Sequence, residues 1–324
     1  MTTQEAIEKL NRVLSHERCG VNVFFVLHKQ ENYILKKADV QYVALEKIEK
    51  TIRVNVEKLK LELESEALTI MNLSTADERK DVIYAYDLDD TPTPIQLINE
   101  MDENIFNNEY FSVENNNVYN FNDDNLNEVD AWIASYGVGN DHIVIYRKTY
   151  PVNLLKQNNV FIFKDHSQFK AIGEEIFRID GKIDFLKIQD EILIKDISIL
   201  EKFNDFKDIV LRSATNSIQI IAELDIIEDI SQLKNRMSSD LSFARKLIKV
   251  VANSLILSTI PKENIISFAT THPYLSKKLK ISTNNKFDLS KKIAQNHFIQ
   301  LLDDAFLHSK LSNNEYVSPA KDKL

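Results

Sequence analysis

The segment RIDGKIDFLKIQDEILIKDISILEKF, residues 178–203, restricts the possible folds of this chain more than any other stretch. Its apolar residues recur at the two-residue period of a β-strand, and two short polar pairs interrupt them. Asp180-Gly181 indicates a hairpin turn, because both residues tolerate the positive φ that a two-residue loop needs. Gln189-Asp190 indicates a second tight turn. The segment therefore predicts a β-meander whose middle strand, apolar on both faces, is internal to a sheet.

The pattern after the meander predicts helices almost throughout. Ser198 and Glu201 have the spacing of a capping box, in which each side chain accepts a hydrogen bond from a free N–H at the helix start. Residues 238–251 place apolar side chains on one face and basic ones on the other, which predicts a second helix. Asp288 predicts the N-cap of a last long helix that includes LLDDAFL. The predicted buried stripe of the first helix is Ile199, Phe203, Phe206 and Val210.

The first half of the chain mixes both kinds of element. Residues 72–125, rich in Asp and Asn, predict surface loops around short strands. The sequence also predicts helices at 3–15, 41–61 and about 125–135, and strands at 21–29, 32–38 and 142–148. The predicted fold class is α+β. An N-terminal mixed α/β domain would span residues 1–150, and a β-meander leading into a mostly helical region would span 151–324.

Charge is distributed unevenly along the chain. The net charge is −9, but residues 1–150 carry −12 and residues 151–229 carry −5, whereas residues 230–324 carry +8. A basic C-terminal region attracts polyanions, and an acidic N-terminal region is left for contacts with proteins. This asymmetry keeps nucleic-acid binding open, although the total charge argues against it.

The sequence predicts a cytoplasmic protein. Cys19 is the single cysteine, so the chain can form no internal disulfide, as is usual in a reducing compartment. The N-terminal residues lack the order of a signal peptide, which is basic and then apolar. No apolar run approaches the roughly 20 residues that a membrane-spanning helix needs.

Enzyme-like patterns are weak. A metal-dependent nuclease could use Asp184, Glu191 and Lys195, but the last two lie on one predicted strand, about 13 Å apart along an extended chain. That separation is too great for both to share one metal ion, so these charges are interpreted as solvated strand-edge and turn residues. The seven histidines show no zinc-ligand spacing, and no phosphate-binding glycine loop or nucleophile elbow occurs. No catalytic residue, cofactor or metal is predicted.

Lysines concentrate in KKLKISTNNKFDLSKK, residues 277–292. If Asp288 caps the last helix, two of these lysines fall near its first turn, where the helix dipole disfavours each cation by about 0.3–1 kcal/mol. An anion such as a phosphate at the helix start would explain that placement. A solvated lysine-rich loop is the alternative. The predicted DNA-binding residues are Lys277, Lys278, Lys280, Lys286, Lys291 and Lys292, extended by Arg236, Arg245 and Lys249.

Three blocks of the sequence resemble the KwaB family of the bacterial Kiwa anti-phage system. They are FRIDGKIDFLKIQDEILIKDISILEKFNDF, SSDLSFARKLIKVVANS and FIQLLDDAFLHSKLSNNEYVSPAKDKL. The resemblance covers residues 150–324, whereas the first half agrees only in size and order of elements. It implies a cytosolic DNA-binding protein that self-associates as a homodimer or larger homo-oligomer. It also implies a partner at the inner membrane, the small integral-membrane protein KwaA, and a system that restrains phage DNA replication and late gene expression.

Three functions remain open at this point. The leading prediction is an anti-phage protein that binds DNA largely without sequence preference through the basic C-terminal region. The alternatives are a metal-dependent nuclease and a non-catalytic adaptor that holds the membrane partner and another protein without touching DNA. Because cytosolic loops of membrane proteins are commonly basic, the acidic first domain is predicted to face that partner.

Overall fold

The computed structural model describes residues 1–74, 81–107, 109–150 and 176–318, and the backbone of three short strands between 150 and 176. The chain forms two compact units. Unit 1 contains Met1–Ile70, Ile83–Ala85 and Thr91–Leu200, and unit 2 contains Met71–Val82, Tyr86–Asp90 and Glu201–Leu324. Unit 1 is a sheet with helices and unit 2 is largely helical, which confirms the predicted α+β class. None of the helices in the described ranges is long and apolar enough to cross a membrane.

The chain up to residue 200 contains four helices and twelve strands in its described part. The helices are α1 (Thr3–Ser15), α2 (Tyr42–Glu64), α3 (Thr93–Asn104) and the single turn α4 (Ile197–Leu200). The strands are β1 (Gly20–Lys29), β2 (Asn32–Lys37), β3 (Thr69–Asn72), β4 (Val82–Ala85), β5 (Val129–Val138), β6 (Asp141–Lys148), β7 (Leu154–Leu155), β8 (Phe161–Asp165), β9 (Gln168–Ile172), β10 (Ile176–Phe177), β11 (Phe185–Ile188) and β12 (Glu191–Ile194). The helices predicted at 3–15 and 41–61 and the strands predicted at 21–29, 32–38 and 142–148 are confirmed.

Eight of these strands form one sheet with the order β2-β1-β5-β6-β11-β12-β4-β3. β1 runs antiparallel to β5, with Phe25 opposite Trp132, and β5 runs antiparallel to β6. α1 and α2 contribute Leu10, Ile52 and Val56 to a core cluster that also contains alternate residues of the central strands. Burying the apolar stripes of both helices against the sheet removes a large apolar area from water, which is the main stabilising contribution to such a core.

Two predictions in the first half are wrong. Residues near 125–135 form a 3₁₀ turn at Leu126–Glu128 followed by β5, not a helix. The run AWIASY is buried on both faces of the strand, and its hydrophobic period cannot separate a buried strand from a buried helix. α3 lies within residues 72–125, for which the sequence predicts loops. Its first turn contains Pro94, which is well tolerated there because the first N–H groups of a helix have no intrahelical partner.

The β-meander is confirmed for its second turn. Gln189-Asp190 joins β11 to β12, with Ile188 opposite Glu191 and a φ of 57° at Gln189. β11 lies between β6 and β12 and all four of its residues are buried. The middle strand is therefore internal, as the sequence predicts.

The hairpin predicted at Asp180-Gly181 is wrong. β10 pairs with β7 and not with β11, so no ladder spans these two residues. Gly181 has a φ of 66°, and a Cβ atom there would lie 2.6 Å from Thr51 Cγ2 of α2. The glycine is required by this close approach, which involves residues far apart in sequence and leaves no local signal.

The compact units divide later in the chain than the predicted domains 1–150 and 151–324. β11 pairs with β6 and β12 pairs with β4, so the meander extends the sheet of unit 1. Unit 1 consequently continues to Leu200. The sequence predicts the boundary at TYPVN (149–153) and KQNN (156–159), and of these residues only 149 and 150 are described.

Unit 2 is built mainly from six helices in its described part. They are α5 (Asn204–Glu223), α6 (Ser231–Ser239), α7 (Leu241–Asn253), α8 (Leu255–Thr259), α9 (Lys262–Thr271) and α10 (Lys292–Leu302). Strands β13 (Lys280–Ile281) and β14 (Phe287–Asp288) form one small hairpin, and β15 (Phe306–His308) and β16 (Glu315–Val317) form another. The helix predicted at 238–251 is confirmed as α7, where the Asp240 carboxylate accepts a hydrogen bond from the Phe243 N–H at 3.0 Å.

The capping box predicted at Ser198 and Glu201 is wrong. The N–H and hydroxyl of Ser198 both donate to Asp196 Oδ1, at 3.0 and 2.6 Å, and α4 ends after one turn. The long helix α5 starts only at Asn204, after a turn at residues 201–203 that the local pattern does not reveal. The predicted buried stripe is confirmed, since each of its members is at most 5% exposed: Ile199, Phe203, Phe206 and Val210.

Candidate nucleic-acid interface

Residues 275–292 combine a 3₁₀ turn at Leu275–Lys277, the β13–β14 hairpin and the start of α10. Apolar side chains anchor this segment in unit 2. Phe287 is fully buried and packs against Phe298 of α10 with ring centroids 5.3 Å apart. Leu275, Leu279 and Leu289 are at most 3% exposed. The lysines alternate with these anchors, so the packing that buries the apolar residues leaves most of the lysines at the surface.

Five lysines of this segment are exposed, and we refer to them as the basic cluster: Lys277, Lys278, Lys280, Lys291 and Lys292. Within the described residues, none of the five forms an ion pair with a carboxylate. Lys278 Nζ lies 5.8 Å from the centroid of the Tyr274 ring. Hydrogen bonds from Ser290 lower the pKa of Asp288, and the charges of Lys280 and Lys291 lower it further. The basic cluster therefore contains five lysines without an ion pair in the described residues, with Asp288 as a nearby acid.

The other four predicted DNA-binding cations are neutralised by carboxylates of unit 2. The nitrogen–oxygen distances are 3.4 Å for Arg236–Asp240, 2.8 Å for Arg245–Glu201, 2.9 Å for Lys249–Asp303 and 2.5 Å for Lys286–Asp225. Arg236 also lies over the Phe243 ring, 4.0 Å from its centroid, and donates to the carbonyl oxygen of Lys292. These contacts tie the four side chains to partners within unit 2, and DNA contact stays a prediction for all nine cations.

The last helix starts later than predicted. Asp288 belongs to β14 and its carboxylate accepts from the Ser290 N–H at 3.0 Å, so it does not cap the helix. α10 begins at Lys292, with Lys291 at the N-cap position and no side-chain cap hydrogen bond. The helix also ends at Leu302, because the chain turns at Asp304, which has a φ of 55°, and enters β15. Two cations thus stand at a helix N-terminus, where the dipole disfavours them.

The residues of the nuclease alternative have separate partners in unit 1. Asp184 is 3% exposed and accepts hydrogen bonds from Arg147 Nη1 at 2.6 Å and the Lys148 N–H at 2.8 Å. Lys195 pairs with Glu62 at 3.1 Å, and Glu191 lies 3.6 Å from the N-terminal amino group. Among the residues that the structure describes, no group of three or more His, Cys, Asp or Glu side chains could hold a metal ion. The three side chains thus have different partners, and the burial of Asp184 shows that its interpretation as a solvated charge is wrong.

A partly buried group of three charged side chains in unit 1 has no signal in the sequence. His142 Nε2 lies 2.7 Å from Asp102 Oδ1, and Lys187 Nζ lies 2.6 Å from Asp102 Oδ2. His142 Nδ1 lies 2.8 Å from the carbonyl oxygen of Gly139. Both ring nitrogens face acceptors, and both can donate only when the imidazole is protonated. The hydrogen bond that His142 donates to Asp102 accordingly raises the pKa of His142, more than burial lowers it. Asp102 belongs to α3, a helix that sequence patterns did not predict.

We expect the folded state to lose stability as the pH rises through the raised pKa of His142. The ordinary pKa of histidine in an unfolded chain is about 6.5. The stabilisation is therefore complete below that pH and is lost above the folded-state value. Thermal unfolding of the wild type from about pH 6 to 9 should show a falling Tm, and His142→Gln should remove that part of the dependence. Identical profiles for the two proteins would contradict this expectation.

Comparison with known proteins identifies the family. The profile of the family described as Kiwa protein KwaB-like matches residues 126–312, more than half of the chain. The chain is also 28% identical over 330 residues to the Kiwa protein KwaB of Escherichia coli O55:H7 (strain RM12579 / EPEC), in an alignment that covers 100% of this chain and 99% of that protein. No solved structure matches the chain. The similarity therefore extends beyond residues 150–324 into the first half, and the chain belongs to the KwaB family of the Kiwa anti-phage defence system.

Proposed function

We propose that this chain binds DNA largely without sequence preference through the basic cluster, as the DNA-binding component of a Kiwa anti-phage system. The observation that carries the proposal is the state of the five lysines, which are exposed and form no ion pair with a carboxylate within the described residues. Binding a phosphate lets each ammonium group displace a condensed counter-ion from the duplex, which favours association.

The start of α10 supports the same assignment. Its first N–H groups have no side-chain cap, and Lys291 and Lys292 add two positive charges at the positive end of the helix dipole. A phosphate oxygen at this point would accept from the backbone and neutralise both lysines. In the free protein the two lysines and the positive end of the helix dipole repel each other, whereas in the complex all of them would attract the same phosphate.

Contacts of this kind do not read base edges. The affinity should therefore fall steeply with salt concentration and vary little between DNA sequences. Coverage of phage DNA in this way would restrain its replication and late gene expression, the outcome that the family resemblance implies. The proposal contains no cleavage step and requires no cofactor or metal ion.

Charge reversal in the basic cluster tests the proposal. We expect Lys277→Glu, Lys278→Glu, Lys291→Glu and Lys292→Glu together to weaken binding at least tenfold, by a similar factor on every duplex, and to reduce the salt dependence. Gel shifts and fluorescence anisotropy across a salt series would measure both effects.

The matched control reverses four exposed lysines of unit 2 outside the cluster: Lys207, Lys234, Lys262 and Lys310. It changes the net charge by the same amount, so weakening of equal size would show that binding depends on total charge and not on the cluster. Absence of any salt-sensitive shift with the wild type would contradict DNA binding itself.

Two further measurements separate the alternatives. DNA that stays intact after long incubation with Mg²⁺ or Mn²⁺ would exclude the nuclease reading of Asp184, Glu191 and Lys195. Cleavage that survives in the Asp184→Asn variant would exclude Asp184 as a catalytic residue and would still show an enzymatic activity. A pull-down of a second protein that survives nuclease treatment, in the absence of a gel shift, would favour a pure adaptor.

The proposal also includes two protein partners. A KwaA-like integral-membrane protein would recruit the chain to the inner membrane, with basic cytosolic loops against the acidic first 150 residues, which carry a net charge of −12. A second copy of the chain would form a homodimer or larger homo-oligomer. Co-purification with KwaA that weakens as salt increases tests the first interaction, and sedimentation velocity tests the second.

A further inference from the structure

α2 of unit 1 carries apolar residues on two opposite faces, and only one of these faces contributes to the core. Ile52, Val56, Leu59 and Leu63 are at most 3% exposed and pack into the core cluster of unit 1. Val43, Val54 and Leu61 lie on the opposite face and are 61–63% exposed. Isolated exposed apolar residues are ordinary, but three on one stripe of a 23-residue helix form an unpartnered face.

The exposed face has the spacing of a coiled-coil seam. Successive members lie four, three, four, three and four residues apart, and all of them are exposed: Val43, Lys47, Lys50, Val54, Glu57 and Leu61. Alternation of three and four residues keeps side chains on one line facing a partner helix. Within the described part of the chain, no ion pair occupies Lys47, Lys50 or Glu57. We refer to these six residues as the α2 seam.

The order of charges in the α2 seam is complementary to itself in one orientation. In an antiparallel pair of α2 helices, related by a two-fold axis level with Ile52, Val43 lies opposite Leu61 of the second copy. Lys47 then lies opposite Glu57 of the second copy, and Lys50 lies against Val54. The apolar pair and the opposite charges attract, and the stem of Lys50 can cover Val54 while its ammonium group stays in water.

A parallel pair would lack this match. It would place Lys47 and Lys50 against the same lysines of the second copy, and Glu57 against Glu57. Like charges that face each other are destabilising, so this orientation is disfavoured. The seam thus specifies an antiparallel arrangement through charge, in the way that charged seam residues set orientation in coiled coils.

We propose that the α2 seam is a self-association surface, which pairs antiparallel with the same seam of a second copy. The inference rests on the proposed self-association and names its interface and register. In a closed two-fold dimer every contact between the seams occurs twice, so each complementary pair of residues stabilises the dimer twice. A membrane surface is a poorer occupant, because a helix that lies on anionic lipid usually presents an excess of basic residues, whereas Glu57 stands in the middle of this seam.

Reciprocal charge reversal in the full-length protein provides the test. In the proposed register, Lys47→Glu places a glutamate at position 47 against Glu57 of the second copy. Glu57→Lys places a lysine at position 57 against Lys47 of the second copy. We expect each single variant to weaken self-association at least tenfold in sedimentation velocity. The double variant, Lys47→Glu with Glu57→Lys, restores opposite charges and should return to within about threefold of the wild type.

Controls separate the register from the general effect of charge. Glu31→Lys and Lys207→Glu make the same changes of charge at exposed positions outside α2 and should leave self-association unchanged. All substitutions are at exposed sites, and circular dichroism would verify that each variant is folded.

The possible outcomes are distinct. A wild-type oligomer that neither single variant disturbs would overturn the α2 interface while leaving self-association in place. A wild-type protein that stays monomeric at tens of micromolar would overturn both. Disruption by the single variants without recovery in the double variant would exclude the antiparallel register. If only association with a membrane partner responds, α2 binds that partner and not a second copy.

Discussion

Replacement of Arg147 by methionine is expected to lower the free energy of unfolding by about 3–5 kcal/mol. Arg147 is 12% exposed and bridges two carboxylates of unit 1, with Nη1 2.6 Å from Asp184 Oδ1 and Nη2 3.0 Å from Asp180 Oδ2. Methionine keeps much of the apolar volume but leaves the buried Asp184 carboxylate and the partly buried Asp180 carboxylate without Arg147. The loss of stability exceeds the lost attraction to Arg147, because the carboxylates are not rehydrated when the arginine is removed.

The pKa directions agree with that account. Burial raises the pKa of Asp184, and the Lys148 N–H and Arg147 only partly offset it. Burial acts the same way on Asp180, but the hydrogen bonds from Arg147 and the Lys182 N–H outweigh it and lower the pKa. Without Arg147, both carboxylates should titrate at higher pH, so the deficit in stability should shrink as the pH is lowered.

Urea unfolding at neutral pH would measure the effect. Lys182→Met serves as a control at an exposed position in the same loop and should change stability by no more than about 0.5 kcal/mol. In a double-mutant cycle, adding Asp184→Asn to Arg147→Met should recover part of the loss. A loss below about 1 kcal/mol for Arg147→Met would show that water reaches the pair, contrary to the burial described.

Replacement of Asp124 by leucine is expected to have a comparable effect, also about 3–5 kcal/mol. The Asp124 side chain is 1% exposed and accepts hydrogen bonds from Lys29 and Lys36, each at 2.8 Å. The Lys36 side chain is 3% exposed, so removal of the carboxylate leaves a buried ammonium group with Asn116 as its remaining described partner. Lys36→Met should cost less, because Asp124 would still be paired with Lys29.

Acid sensitivity provides an independent measurement on the same group. Burial alone would raise the pKa of Asp124, but the hydrogen bonds from Lys29 and Lys36 outweigh it, and the pKa is lowered. The stabilisation by this carboxylate is therefore complete above the pKa of about 3.9 that it has in the unfolded chain, and it is lost as the pH falls through the lower pKa of the folded state.

The double variant Asp124→Leu with Lys36→Met should be more stable than Asp124→Leu alone. Equal stability of the two would contradict a buried unpaired lysine.

Sequence patterns succeeded where neighbouring residues alone determine the structure. α1, α2 and the β1–β2 pair follow from hydrophobic period, and the Gln189-Asp190 turn follows from its position between apolar runs. β5 was misread because a strand buried on both faces has no alternation. Gly181 was misread because its conformation serves contact with Thr51, which is far away in sequence.

The α+β class, the family and the excess of lysine in residues 277–292 could all be recognised from the amino-acid sequence, because each depends on residue type and on short spacings. Which of the nine predicted DNA-binding cations form ion pairs could not be predicted from the sequence. Lys286 pairs with Asp225, Lys249 with Asp303 and Arg245 with Glu201 only in the folded chain, and these ion pairs distinguish the three cations from the basic cluster. Ion pairing depends on distances of a few ångströms in space, and a chain that folds back on itself sets those distances without any regular relation to sequence separation.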